Sequence, residues 1–170
     1  MNIKKLTLKS TSFPEVLRHI DSPPQALYQL GAPLGQLLER PVVTIVGSRS
    51  ASAYGQRVTE ELAGQLAERG VVVVSGLALG IDGIAHRAAL QAGGLAIAVL
   101  PGPVDNVVPR TNRRLSGKNA RRTTGPRPRH KIASRLAEES QTLTVWSELA
   151  EARRLPIGAK ATQVTFCVCP

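Results

Sequence analysis

Apolar positions along the chain fall into runs of two kinds. Continuous blocks rich in β-branched residues, PVVTIVG (41–47), VVVVS (71–75) and LAIAVL (95–100), predict strands buried on both faces. Between the first two, QRVTEELAGQLAERG (56–70) repeats apolar residues at helical spacing. Val58, Leu62 and Leu66 share one face, Glu and Arg hold the other, and Gly70 supplies a C-cap. GIAHRAALQAGG (83–94) predicts a second helix with a Gly-Gly stop. Strand–helix–strand–helix–strand with right-handed crossovers gives an α/β fold. The expected architecture is a Rossmann-like, doubly wound parallel sheet in three αβα layers, with ligands at the carboxyl ends of the strands.

Outside this unit the pattern weakens. Residues 1–40 form a lead-in: FPEVLRHI is a short helical pattern, SPP a break, QALYQL a candidate strand and LGQLLER a short helix. From 113 to 170 no usable period appears, although parts of 137–155 could be helical. RRLSGKNARRTTGPRPRHKIASRL is rich in Arg, Thr, Gly and Pro. The expected division is therefore a lead-in (1–40), the N-terminal half of a Rossmann-like core (41–112) and an irregular basic tail (113–170). Three strands alone make a truncated sheet with an open edge.

The chain of 170 residues is long enough for one real core, and its net charge of +10 resembles a nucleic-acid signal. That charge is uneven: residues 1–112 carry a net +2 and residues 113–170 a net +8. The basic excess thus lies in the tail rather than on the patterned unit. No run approaches membrane-span length, and the lysine-bearing N-terminus lacks the apolar stretch of a secretory signal, so no membrane association and a cytoplasmic location are expected. Cys167 and Cys169 have no second pair, so no metal is expected, and no cofactor.

Three loops follow the three strands. In the first, Gly47 lets backbone N–H groups approach an anion, Ser48 offers a hydroxyl and Arg49 a cationic fork suited to phosphate. A helix starting near Tyr54 and Gly55 adds its positive N-terminal dipole. A tight turn with a solvated arginine explains the same residues. In the second, SGLALGID, Gly76 and Gly80 give room for a phosphate or sugar-phosphate. The G-x-G-x-x-G spacing is absent and Ser75 stands where a ribose-binding acid belongs, which disfavours a dinucleotide. Asp82, at or near the helix N-cap, suits a structural role accepting backbone N–H bonds. His86, one turn on, either hydrogen-bonds Asp82 or reaches a ligand phosphate. In the third, PGPVDNVVPRTN, Arg110 and Asn112 are polar candidates on the same rim, or parts of a rigid surface loop.

Taken together, IVGSRSASAYG, VVVVSGLALGIDGIAHRAALQAGG and AIAVLPGPVDNVVPRTN resemble the DNA-processing protein A (DprA/Smf) family over roughly residues 13–112. The resemblance implies a single-stranded-DNA binder that protects incoming DNA in natural transformation and helps load RecA. It implies no catalytic activity and leaves a homodimer open. By position, Gly47, Ser48 and Arg49 belong to the family's phosphate pocket, with Gly76, Gly80, Asp82 and His86 shaping its rim. After Asn112 the family should continue with a helix, a strand and a basic motif, none of which is evident. Read one base later, codons permitted for residues 117–129 can encode a helix-plus-strand pattern. A frameshifted, non-functional fragment is therefore one alternative. Another is an enzyme resembling nucleoside-monophosphate phosphoribohydrolases, but PGPVDN stands where those need a glycine-rich segment with a catalytic glutamate.

Overall fold

A computed structural model describes residues 2–119 and 165–169. The parallel unit is built as the pattern predicts. Strands β3 (Val42–Thr44), β4 (Val72–Ser75) and β5 (Ala96–Leu100) lie side by side, with Val43 opposite Val73 and Val74 opposite Ile97. Helix α2 (Ala53–Glu68) joins the first two and α3 (Ile81–Gln91) the second two. The lead-in supplies an antiparallel pair, β1 (Lys4–Thr7) with β2 (Ala26–Gln29), and the short helix α1 (Leu34–Leu38). Helix α4 (Arg113–Asn119) and strand β6 (Thr165–Cys169) complete the described elements. The sheet order is β1-β2-β6-β5-β4-β3, with β6 antiparallel to β5 and parallel to β2.

Side-chain alternation along β4 and β5 sorts the core into layers. Val71, Val73 and Ala96 pack with Ala63 and Ala67 of α2 and Ala85, Ala88 and Ala89 of α3. On the opposite face Val72, Leu95 and Ile97 meet Phe13, Leu34 and Leu37 from the lead-in and α1. The lead-in is thus packed into the same core as residues 41–112. FPEVLRHI forms only a 3-10 turn, Glu15–Leu17.

Helix α2 starts at Ala53, where the Ser52 hydroxyl caps it by accepting the Gly55 N–H at 3.1 Å. It ends at a Schellman turn, with Gly70 at φ 81° and the Val71 N–H reaching the Leu66 carbonyl at 3.1 Å. Its buried centre is Thr59, Ala63 and Ala67, one residue on from the expected Val58, Leu62 and Leu66, which are half-buried. Small side chains at the centre let α2 lie close against α3 and the sheet, while the larger ones fill the flanks.

Two elements depart from the expected irregular tail. A helix after Asn112, not evident in the sequence, is present as α4, with Ser116 buried and Leu115 half-buried. Two turns carrying Gly117 and three basic residues are too short to show a period in the sequence. Strand β6 fills the place between β2 and β5. The helix considered within 137–155 lies outside the described residues.

Candidate nucleic-acid interface

The three loops meet at the carboxyl ends of β3, β4 and β5, and their backbones are knit together. The Ile81 N–H donates to the Ser48 carbonyl at 3.1 Å, so the first amide of α3 is taken by the first loop rather than offered to a ligand. Gly80 makes this closeness feasible. It sits at φ 72° and ψ −132°, and a Cβ there would stand 2.1 Å from the Ser48 carbonyl oxygen. Gly47 faces Ile81 in the same way: a Cβ would lie 2.7 Å from that side chain.

Asp82 braces the second loop. Its carboxylate accepts the Gly76 N–H at 3.1 Å and is only 8% exposed. Burial raises its pKa above the usual carboxylate value, opposed by the backbone amides of Gly76, Gly47 and Ala78. The Ser75 hydroxyl is near enough to favour the charged form but falls outside hydrogen-bond geometry. Asn112 braces from the third loop: its amide donates to the carbonyls of Leu77 at 2.9 Å and Ala78 at 3.0 Å. Leu77, fully buried at φ 55°, is held in a conformation rare for a side-chain-bearing residue.

His86 lies beneath this assembly, wholly buried. Among the described residues neither ring nitrogen makes a hydrogen bond, so the expected bond to Asp82 is not formed. Burial pushes its pKa down to about 4, with the Ser75 backbone partly opposing the shift.

The exposed positions are therefore few. Arg49 and Arg110 point into solvent. Ser48 is half-buried, its hydroxyl donating to the Ser50 carbonyl and accepting the Ser50 N–H, both at 3.1 Å. The α2 N-terminus stands in the same loop cluster, its remaining first-turn amides without helix partners. Together these form a rigid rim of backbone with two cationic side chains. Among the described residues no cluster of His, Cys, Asp and Glu is placed to hold a metal.

Over residues 4–125 the chain matches the DNA recombination-mediator protein A family. It belongs to that family. The match runs beyond the 13–112 of the motifs and takes in β1 and α4, whose residues carry no motif of their own. The DNA processing protein DprA of Bacillus subtilis is 35% identical over 119 residues, covering 70% of this chain and 40% of that protein. A DprA protein of Mycobacterium tuberculosis is 52% identical over 83 residues, covering 48% of this chain and 21% of that protein. The crystal structure of DprA from Streptococcus pneumoniae superposes with a TM-score of 0.61 at 39% identity, over 66% of this chain and 39% of that one. The Helicobacter pylori DprA structure, described for its single-stranded DNA binding mode, gives 0.60 at 33% identity, over 70% and 53%. The chain spans less than half the length of the curated relatives it matches. The fold is thus Rossmann-like, as in these DprA structures. Among the described residues no helix is long and apolar enough to cross a membrane.

Within the DprA-type core, Gly47, Gly76, Gly80, Asp82, Asn112 and His86 build and support the rim, while Ser48, Arg49 and Arg110 can meet a ligand from it. Sequence reasoning missed Ile81 and Leu77 as the apolar wedges under the loops. Their only signal is that both are apolar inside a loop of small and polar residues.

Proposed function

We propose that the rim binds the sugar-phosphate backbone of single-stranded DNA. The observation that carries this is the pairing of a locked loop with a free cation. The Ser48–Arg49 backbone is held against Gly80 and Ile81, while the Arg49 side chain is exposed and, among the described residues, has no ion pair. A guanidinium fork carried on a fixed backbone suits phosphate, and Arg110 adds a second cation. The rim acts by binding, with the Asp82 carboxylate engaged in holding Gly76. In the cell the chain works in the cytoplasm on incoming DNA, protecting it during transformation and assisting RecA loading. The relatives' family and the single-stranded DNA mode of the Helicobacter pylori protein support this reading. A homodimer would place two such rims on one strand.

Few aromatic residues are available for base stacking, at 3% of the chain, so phosphate contacts dominate. Fluorescence anisotropy with labelled oligo-dT across a salt series tests this. Affinity should fall steeply with salt and depend little on base sequence. Arg49→Ala should weaken binding by about 1–3 kcal/mol, the loss of a charge-assisted hydrogen bond. Equal binding by the two proteins, or affinity indifferent to salt, would overturn the proposal.

A further inference from the structure

Helix α3 is buried along nearly all of its first nine residues, yet Arg87 in their midst is exposed. Arg87, Leu90 and Gln91 form one wall of a groove whose other wall is Thr111 and Asn112 with Arg114, Leu115 and Lys118 of α4. The groove holds about 500 Å³, within the roughly 300–1,000 Å³ of small-ligand sites. Among the described residues, three of its lining side chains are cations and none is a carboxylate. A cleft lined by one sign of charge raises the local concentration of counter-ions.

We infer that this groove is a second phosphate-binding site, into which single-stranded DNA continues from the loop rim. The inference rests on the rim reading above. Arg110, on the rim, and Thr111, in the groove, are consecutive residues of one 3-10 turn, Arg110–Asn112. Asn112 ties that turn to the Leu77 and Ala78 carbonyls, which fixes the groove wall relative to the rim. A strand leaving Arg49 and Arg110 therefore meets Arg114, Arg87 and Lys118 next. Arginine forks suit successive phosphates, Gln91 and Thr111 supply hydrogen-bonding groups, and Leu90 and Leu115 offer an apolar floor for sugar or base edges.

The test uses the whole chain carrying Arg87→Ala, Arg114→Ala and Lys118→Ala together, with labelled oligo-dT of two lengths. A short oligomer of about 6 nucleotides occupies the rim alone, and one of about 20 reaches both sites. The triple variant should bind the long oligomer at least tenfold more weakly, with a salt slope smaller by about 2, and the short one as the parent does. Lysine in place of both arginines, with Lys118 kept, should restore most of the long-oligomer affinity. Unchanged affinity for the long oligomer overturns the inference, as does equal weakening at both lengths or a preference for duplex over single strands. The rim reading fails separately: if Arg49→Ala leaves short-oligomer binding intact, the rim is not the site. A triple variant matching the parent beside a weakened Arg49→Ala leaves the rim and removes the groove.

Discussion

Gly80→Ala should cost about 2–6 kcal/mol of stability and abolish oligonucleotide binding. Two effects combine. The φ of 72° with ψ −132° lies in a region where a side chain is strained, worth about 1–3 kcal/mol. The added Cβ would also meet the Ser48 oxygen at 2.1 Å and the Arg49 oxygen at 2.6 Å. Both are backbone atoms, so relief requires the first loop to move, at about 1–3 kcal/mol. That movement would displace the amides and guanidinium proposed to meet phosphate. Gly102→Ala is the control, since nothing stands within 4 Å of a Cβ there. Urea unfolding followed by circular dichroism should separate the two variants clearly. Equal, small effects would show that the two loops are not locked through Gly80.

Acid should weaken the fold between pH 6.5 and about 4 because of His86. Its pKa falls from 6.5 in the unfolded chain to about 4 in the folded one. Above pH 6.5 the ring is neutral in both states and contributes no pH dependence. As pH falls, the unfolded state takes up a proton that the buried ring refuses, so stability drops until the folded pKa is passed. At about 1.4 kcal/mol per pKa unit, the full loss is roughly 3 kcal/mol. Asp82 runs the other way: its raised pKa means the folded state binds a proton more readily, so its contribution grows as pH falls through that value. Comparing the chain with His86→Gln cancels Asp82 and isolates the histidine. The difference in unfolding free energy should shift by about 3 kcal/mol across that window. Parallel pH profiles would mean that the ring is not held neutral.

The parallel unit was legible because β-branched blocks and a 3.6-residue period report burial, and the order of strands and helices over 41–100 is as read, with the buried face of α2 one residue on. The lead-in pair was half legible: β2 reads as a strand, but two of the four residues of β1 are lysines, Lys9 follows close by, and the segment shows no clear alternation. Helix α4 was hidden by its length. At the site, the glycines could be named but not sorted. Sequence shows that Gly80 precedes a helix. Only the fold shows that the first loop crosses over it. For His86 the sequence offers a bond to Asp82 or a ligand, because a polar residue on an apolar helix face suggests one or the other; in the fold the ring is wholly enclosed and, among the described residues, makes no hydrogen bond.

The proposed backbone rim at the carboxyl ends of three parallel strands should receive DNA phosphates directly. The most direct measurement is an amide-resolved NMR titration of the nitrogen-labelled chain with oligo-dT. The largest shifts should cluster at Gly47, Ser48, Arg49 and Arg110. Val71–Val73, buried within the sheet, should stay still. Binding that leaves those rim amides unmoved would contradict it.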